Sequence, residues 1–163
     1  MGEQSKAGHS VHNETGVRHL LQDLNREDSR LRARLLDAAL AGLRLSRDPQ
    51  SMGLREDVAQ LWASMEPVLS HHLETEDSQV LPWLKEHKKL TAANLERIRE
   101  RHQALHKLMN AVDKRKLDAV TADEARNIGK SLAALAVALD DAIDDEERRL
   151  LPTLRKALFE SLD

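Results

Sequence analysis

The sequence predicts an all-α protein, an up-down-up-down antiparallel four-helix bundle, and three observations support this prediction. Glycine and proline are scarce, with 6 and 4 among 163 residues, so few positions interrupt a helix. Four long stretches repeat apolar residues at the three- and four-residue spacing of an amphipathic helix. The connections between these stretches are short and polar, which indicates that consecutive helices pack as antiparallel neighbours.

Capping and helix-breaking residues delimit the predicted helices. In chain order they span residues 17–45, 54–86, 91–116, 121–152 and, as a short C-terminal helical extension, 153–162. Pro67 should kink the second helix, because proline removes one backbone hydrogen bond and crowds the preceding turn. Thr121 and Glu124 have the spacing of a capping box at the start of the fourth helix, and Pro152 should end or kink it.

The chain is expected to form one domain over residues 17–163. Residues 1–16 show no helical period and should be a mobile polar tail. No run approaches the roughly 20 apolar residues that cross a bilayer, and the N-terminus lacks the apolar segment of a secretory signal. The absence of cysteine suits a reducing compartment, so we expect a cytoplasmic protein.

The composition excludes several kinds of site. Without cysteine there are no disulfides, iron–sulfur clusters or thiolate metal sites. Without tyrosine there is no tyrosyl radical, and a single Phe disfavours stacking on single-stranded nucleic acid. The net charge of −3 gives no general reason to bind nucleic acid or a membrane. There is no Gly-rich phosphate loop and no G-x-S-x-G elbow, so common enzyme motifs offer no assignment.

Ionisable residues occupy positions at which the apolar stripes should continue. His72 and Glu76 lie four residues apart on the second helix, so both project from one face, one turn apart. His102 and His106 have the same spacing on the third helix. Each pair can therefore offer two ligands to one ion.

The first and fourth helices carry acids at comparable positions. Asp28 lies between two apolar residues of the first stripe, and Glu146 interrupts the fourth stripe with Asp141 close by. A buried unpaired charge costs several kcal/mol, so such groups need partners. An inward-facing set of imidazoles and carboxylates suits a hard or borderline metal such as iron, manganese or zinc. Any one of these residues alone would more often be a hydrogen-bonded core residue, but the set favours a metal or cofactor site.

These residues resemble the hemerythrin-like, or HHE cation-binding, domains. Three elements carry the resemblance, in the family's order: His72-x-x-x-Glu76 followed by Leu81-Pro82, His102-x-x-x-His106, and Glu146 followed by Leu151-Pro152. It extends over residues 20–158. It implies a four-helix bundle with a non-heme, usually di-iron, site that binds dioxygen, nitric oxide or peroxide, or that handles iron.

The sequence departs from the family pattern at two histidines. Asp28 stands where the family has a histidine on the first helix, and Asp141 and Ala142 stand where the fourth helix usually has one. The resemblance implies these candidate ligands: His72, His102 and His106 as terminal ligands, Glu76 and Glu146 as bridging or chelating ligands, and Asp28 and Asp141 as further candidates. Carboxylates in place of imidazoles add negative charge and stabilise the ferric state, so we expect less reversible oxygen binding.

Several states of the site stay open at this stage. The centre could be dinuclear and rich in carboxylates, or hold one ion through His72, His102, His106 and a glutamate. It could also be a degenerate salt-bridged core, and the bundle would then be a metal-free regulatory or protein-interaction module. A heme held by one histidine is a further alternative, although few aromatic residues could line its pocket. The chain is expected to be a monomer or a homodimer.

Overall fold

The computed structural model describes residues 14–112 and 117–160, and these ranges form four helical rods. The elements, in chain order, are α1 (Glu14–Arg47), α2 (Met52–Thr75), π1 (Glu76–Val80), α3 (Leu81–Glu86), α4 (Ala92–Val112), α5 (Ala122–Asp145), π2 (Glu146–Leu150) and α6 (Leu151–Glu160). The two π-helical segments join α2 to α3 and α5 to α6 without a break. The predicted all-α four-helix bundle is thereby confirmed.

Where the structure describes them, the helix boundaries lie within a few residues of the predicted ones. α1 begins at Glu14, within the segment predicted as a tail, while residues 1–13 lie outside the described ranges. α4 ends at Val112, and the predicted end of this helix falls in residues 113–116, which are also outside them. Pro67 lies inside α2 without ending it. None of the described helices is long and apolar enough to cross a membrane.

π-helical turns precede Pro152, where the sequence predicted an end or a kink of the helix, and Pro82 on the second rod. Each π segment begins at a glutamate, Glu76 or Glu146, and ends just before a Leu-Pro pair. The backbone N–H of Leu81 donates to the carbonyl of Glu76, and that of Leu151 donates to the carbonyl of Glu146. Proline cannot donate a backbone hydrogen bond, and the extra residue of a π turn lets the helix continue past it. The two similar sequence segments thus give two similar turns, each starting at a buried glutamate.

α1 and α5 approach each other most closely at two glycines. A Cβ atom at Gly42 would lie 2.5 Å from the carbonyl oxygen of Gly129 and 2.8 Å from the backbone nitrogen of Ala133. Both neighbours are backbone atoms and cannot rotate away. We therefore expect Gly42→Ala to lower the free energy of unfolding by about 1–3 kcal/mol through overpacking. Urea unfolding measures this change.

Gly53→Ala is the matched control for this substitution. Gly53 lies in the first turn of α2, and the nearest atom to an added Cβ is Ser51 Oγ at 3.9 Å. Alanine favours helix over glycine, so this variant should be as stable as the wild type or slightly more stable. A Gly42→Ala protein as stable as Gly53→Ala would contradict the close packing of α1 on α5.

Candidate metal centre

A layer of ionisable side chains divides the apolar interior into two clusters. The larger cluster includes Leu31, Leu73, Leu105 and Ile143, and the smaller one includes Leu24, Val80, Ile98 and Leu150. On each rod at least one buried ionisable residue lies between a member of each cluster. These residues include Asp28 on α1, Glu76 at the start of π1, His102 on α4 and Glu146 at the start of π2. The helical period of each rod therefore brings its polar residue to one level of the bundle.

Three carboxylates converge on one nitrogen atom of His72. The Nε2 atom lies 3.2 Å from Oδ1 of Asp28, 3.0 Å from Oε1 of Glu76 and 3.1 Å from Oε2 of Glu146. His72, Asp28 and Glu76 are almost fully buried, and Glu146 is 7% exposed. The sequence predicted that His72 and Glu76 share one inward face, and the structure places them so.

This arrangement leaves hydrogen-bonding capacity unused. A single Nε2–H donates one good hydrogen bond, and Glu146 receives it. Within the described ranges, both oxygens of Asp28 and both oxygens of Glu76 are buried without a hydrogen-bond partner. Glu76 has imidazole nitrogens within 3.0 Å, but their orientation does not suit a hydrogen bond. Buried polar atoms that lack partners indicate that a further group belongs among them.

Burial and mutual repulsion make two of the acids hard to ionise. Burial raises the pKa of the Asp28 carboxyl to about 6, although the neighbouring His72 opposes the shift. Burial also raises the pKa of Glu146 well above its usual value, and the charge of Glu76 adds to this effect. A centre that repels its own negative charge favours a cation among its carboxylates.

The two interior imidazoles respond in the opposite direction. Burial alone would lower the pKa of His72, but the hydrogen bond with Glu146 and the negative charges of Glu146 and Glu76 override it and raise the pKa to about 11. The pKa of His102 is also raised against the effect of burial, by Glu76 and Asp77. Burial would raise the pKa of Glu76, but the adjacent His102 and His72 lower it. Without metal, protonated imidazoles of His72 and His102 would therefore offset the negative charge of the acids.

His102 links Glu76 to the surface of the bundle. Its Nε2 lies 2.9 Å from Oε2 of Glu76, and its Nδ1 lies 2.6 Å from Oδ1 of Asp77. Asp77 immediately follows Glu76 in π1 and is exposed. A carboxylate on the outer nitrogen fixes which imidazole nitrogen faces inward, as carboxylate partners of metal-bound histidines do.

A second outer contact involves Glu27, a residue that the sequence patterns did not single out. Glu27 is 7% exposed, and its Oε2 and Oε1 lie 3.1 and 3.2 Å from Nδ1 of His71. Its Oε2 also lies 3.9 Å from Nδ1 of His72. The sequence did contain a signal for this contact. Two adjacent acids on α1, Glu27 and Asp28, correspond to two adjacent histidines on α2, His71 and His72.

The structure does not bring His106 and Asp141 to this cluster. Both side chains are exposed, on α4 and α5 respectively. Residues four apart on a helix differ by about 40° in direction, and Leu105 and Met109 occupy the buried stripe beside His106. Asp141 precedes the buried Ala142, so a step of about 100° turns it away from the interior. The structure therefore places neither of these two candidate ligands in the buried cluster.

The donors present fit one metal ion better than two. Ligand atoms of Asp28, His72 and Glu146 all lie within 4.8 Å of one another, and Oε1 of Glu76 adds a fourth donor beside His72. Towards His102, the structure offers Oε2 of Glu76 and one imidazole nitrogen, two donors in all among the described residues. Three carboxylates and one imidazole form a hard, negatively charged donor set that suits iron or manganese.

The sequence that forms these rods matches a known protein family. The sequence profile of the hemerythrin HHE cation-binding domain matches residues 19–154, which is most of the chain. This match includes all four of the rods that carry the buried polar layer. Searches among curated proteins and among solved structures found no significant match.

Proposed function

This chain belongs to the hemerythrin family of HHE cation-binding domains, and on that premise we propose that it holds one non-heme iron ion. The ligands would be Asp28, His72, Glu76 and Glu146, with His102 supporting Glu76. The observation that carries this proposal is the convergence of three buried carboxylates on one imidazole nitrogen, within 3.2 Å. One imidazole N–H cannot donate well to three carboxylates at once, whereas a divalent cation can bind all four groups.

The charge of the donor set determines which chemistry the site favours. Three carboxylates and a neutral imidazole would neutralise a ferric ion and would leave a ferrous ion with one excess negative charge. The site therefore stabilises the oxidised metal, which disfavours reversible oxygen carriage. We propose a role in sensing or removing dioxygen, nitric oxide or peroxide, or in handling iron.

The protein residues contribute charge, orientation and exclusion of water. Iron would supply a redox centre with a coordination position for a small ligand. His102, whose Nδ1 contacts Asp77, places its Nε2 2.9 Å from Oε2 of Glu76. The apolar clusters on both sides of the layer keep bulk water away and strengthen the electrostatic effect of the carboxylates.

Metal content tests this proposal directly. We expect protein produced without a histidine tag and loaded anaerobically with ferrous iron to retain about one equivalent after removal of free metal. Glu146→Gln should retain less than about a tenth of an equivalent, because even changes beside the ligands cost 10–100-fold in affinity. Elemental analysis gives both values. Wild-type protein that retains no transition metal would disprove the proposed function.

His106→Ala and Asp141→Asn are the matched controls. Both residues belong to the ligand set predicted from the sequence, yet both are exposed. We expect each variant to bind as much metal as the wild type. The single-ion assignment would be contradicted if the wild type bound two equivalents of metal and His106→Ala bound only one. That result would show a dinuclear centre.

A metal-free interaction module is the alternative function, and one surface feature favours it. Leu36, Leu40 and Leu43 are 69%, 40% and 45% exposed and form a stripe along α1. A second copy of this chain is the occupant that would cover the stripe in a homodimer. Light scattering and metal analysis together decide between the functions. A stable dimer that Leu40→Glu dissociates, together with absence of bound metal, would favour the module.

A heme is not favoured, because both interior imidazoles already face carboxylates.

A further inference from the structure

Two carboxylate–imidazole pairs lie side by side between α1 and α2. The inner pair joins Asp28 to His72, with 3.2 Å between Oδ1 and Nε2. The outer pair joins Glu27 to His71, with both carboxylate oxygens within 3.2 Å of Nδ1. Glu27 precedes Asp28 on α1, and His71 precedes His72 on α2. The same two donor types therefore occur twice, once in the interior and once at the surface.

Exposure decreases stepwise from the outer pair to the inner one. The His71 side chain is 67% exposed, that of Glu27 is 10% exposed and that of His72 is 1% exposed. Glu27 connects the two levels, because its Oε2 also lies 3.9 Å from Nδ1 of His72. That nitrogen is buried and has no hydrogen-bond partner among the described residues. The metal-binding atoms of the outer pair therefore lie beside the buried centre, on the Nδ1 side of the His72 ring, while the three buried carboxylates lie on its Nε2 side.

A cation that reaches the centre must exchange its water for protein ligands. The inner ligands are buried between two apolar clusters, so the ion needs replacement donors before it is fully dehydrated. An imidazole and a carboxylate at the surface are suitable first donors for a divalent transition metal. Two donors bind more weakly than the four inside, so the ion would be released inward.

We propose that Glu27 and His71 form an outer cation-binding position, which captures a divalent transition metal and passes it to the buried ligands. This proposal rests on the proposed function, because it requires that the inner site binds metal. Its distinguishing consequence is kinetic. The outer position governs how fast the metal arrives, while the inner ligands govern how much metal is held at equilibrium.

Rapid mixing of metal-free full-length protein with Co²⁺ separates these two quantities. The absorption of protein-bound Co²⁺ reports the rate of uptake, and titration reports the final stoichiometry and the affinity. We expect Glu27→Gln and His71→Ala to slow uptake about fivefold or more, since a charged, focused approach raises association rates by 10-fold or more. The final stoichiometry and the affinity should match those of the wild type.

Two exposed residues of α1 supply the controls. Asp23→Asn removes a negative charge one turn before Glu27, and His19→Ala removes an exposed imidazole. Both variants should take up Co²⁺ within about twofold of the wild-type rate. Neither residue belongs to the outer pair, and solvent screens the effect of exposed charges on the approaching ion. Thermal unfolding confirms that each variant is folded, and His71→Ala is the safer test because His71 is exposed.

The outcomes separate this proposal from the proposed function. Normal uptake rates in both Glu27→Gln and His71→Ala would overturn the outer position while leaving the inner site intact. A weakened affinity in Glu27→Gln with an unchanged uptake rate would also overturn it, since Glu27 would then only orient His72. A wild type that binds no Co²⁺ and no iron would disprove both proposals.

Discussion

Replacing His72 by alanine is expected to destabilise the metal-free protein by about 3–5 kcal/mol, the usual cost of removing one partner from a buried ion pair. In the wild type, the carboxylates of Asp28, Glu76 and Glu146 lie within 3.2 Å of the His72 imidazole. Alanine would leave them buried without this cation. Urea unfolding in the presence of a chelator at pH 7 measures the loss.

The destabilisation should depend on pH in a defined direction. The carboxylates raise the pKa of His72 to about 11 from its ordinary 6.5. Because the pKa of His72 is raised in the folded protein, its protonation stabilises the fold. This contribution is fully present below about pH 6.5 and is lost as the pH rises towards about 11. The difference between wild type and variant should therefore be large near pH 7 and smaller at about pH 10.

His106→Ala is the control for loss of an imidazole. His106 is exposed on α4, so its removal should change the free energy of unfolding by no more than about 0.5 kcal/mol. If His72→Ala cost less than about 1 kcal/mol at pH 7, the imidazolium would not be the balancing cation. The acids would then have to be largely protonated in the folded protein.

Asp28→Asn is expected to have opposite effects on folding and on metal binding. Burial raises the pKa of Asp28 to about 6 from 3.8, so its ionisation at higher pH opposes folding. A pKa difference of one between the folded and unfolded protein corresponds to about 1.36 kcal/mol, so asparagine should stabilise the metal-free protein by roughly 2–3 kcal/mol at pH 8. The same substitution removes a ligand and should weaken iron binding at least tenfold.

The pH dependence of this gain follows from the direction in which the pKa of Asp28 moves. A carboxyl with a raised folded-state pKa contributes fully below 3.8, and its contribution is lost as the pH rises through about 6. Asparagine does not ionise, so the gain should be absent below about pH 4, grow between about pH 4 and pH 6, and be complete above about pH 6. Unfolding curves at pH 4 and pH 8, together with an iron titration, measure both effects.

Asp141→Asn controls for the loss of an acid. Asp141 is exposed, so its substitution should change neither stability nor iron binding. An Asp28→Asn protein that is less stable than the wild type at pH 8 would contradict the inferred repulsion. Equal iron affinity in Asp28→Asn and the wild type would remove Asp28 from the ligand set.

The helical period explains why four members of the site could be predicted from the sequence. Asp28, His72, Glu76 and Glu146 interrupt apolar stripes that continue on both sides of them, so each had to face the interior if its helix was to bury that stripe. The resemblance to the HHE family depended on the same positions and on the Leu-Pro pairs after the two glutamates. The family match over residues 19–154 confirms it.

The same reasoning failed for His106, and the reason is geometric. A four-residue spacing places two residues near one face, but the angle between them is about 40°, and the rotational setting of each helix decides whether both reach the interior. α4 turns His102 inwards and leaves His106 exposed. Helix rotation depends on packing against the neighbouring rods, which no local pattern specifies.

Periodicity along each helix was enough to predict the number of rods, their apolar faces and the level at which polar residues interrupt them, because these features depend on one helix at a time. The convergence of three carboxylates on Nε2 of His72, and the contacts of Glu27 and Asp77 with the outer nitrogens of imidazoles, needed the folded structure. These are contacts between different rods. Their distances depend on how the rods rotate and on the two π turns at Glu76 and Glu146, which shift the register after each glutamate.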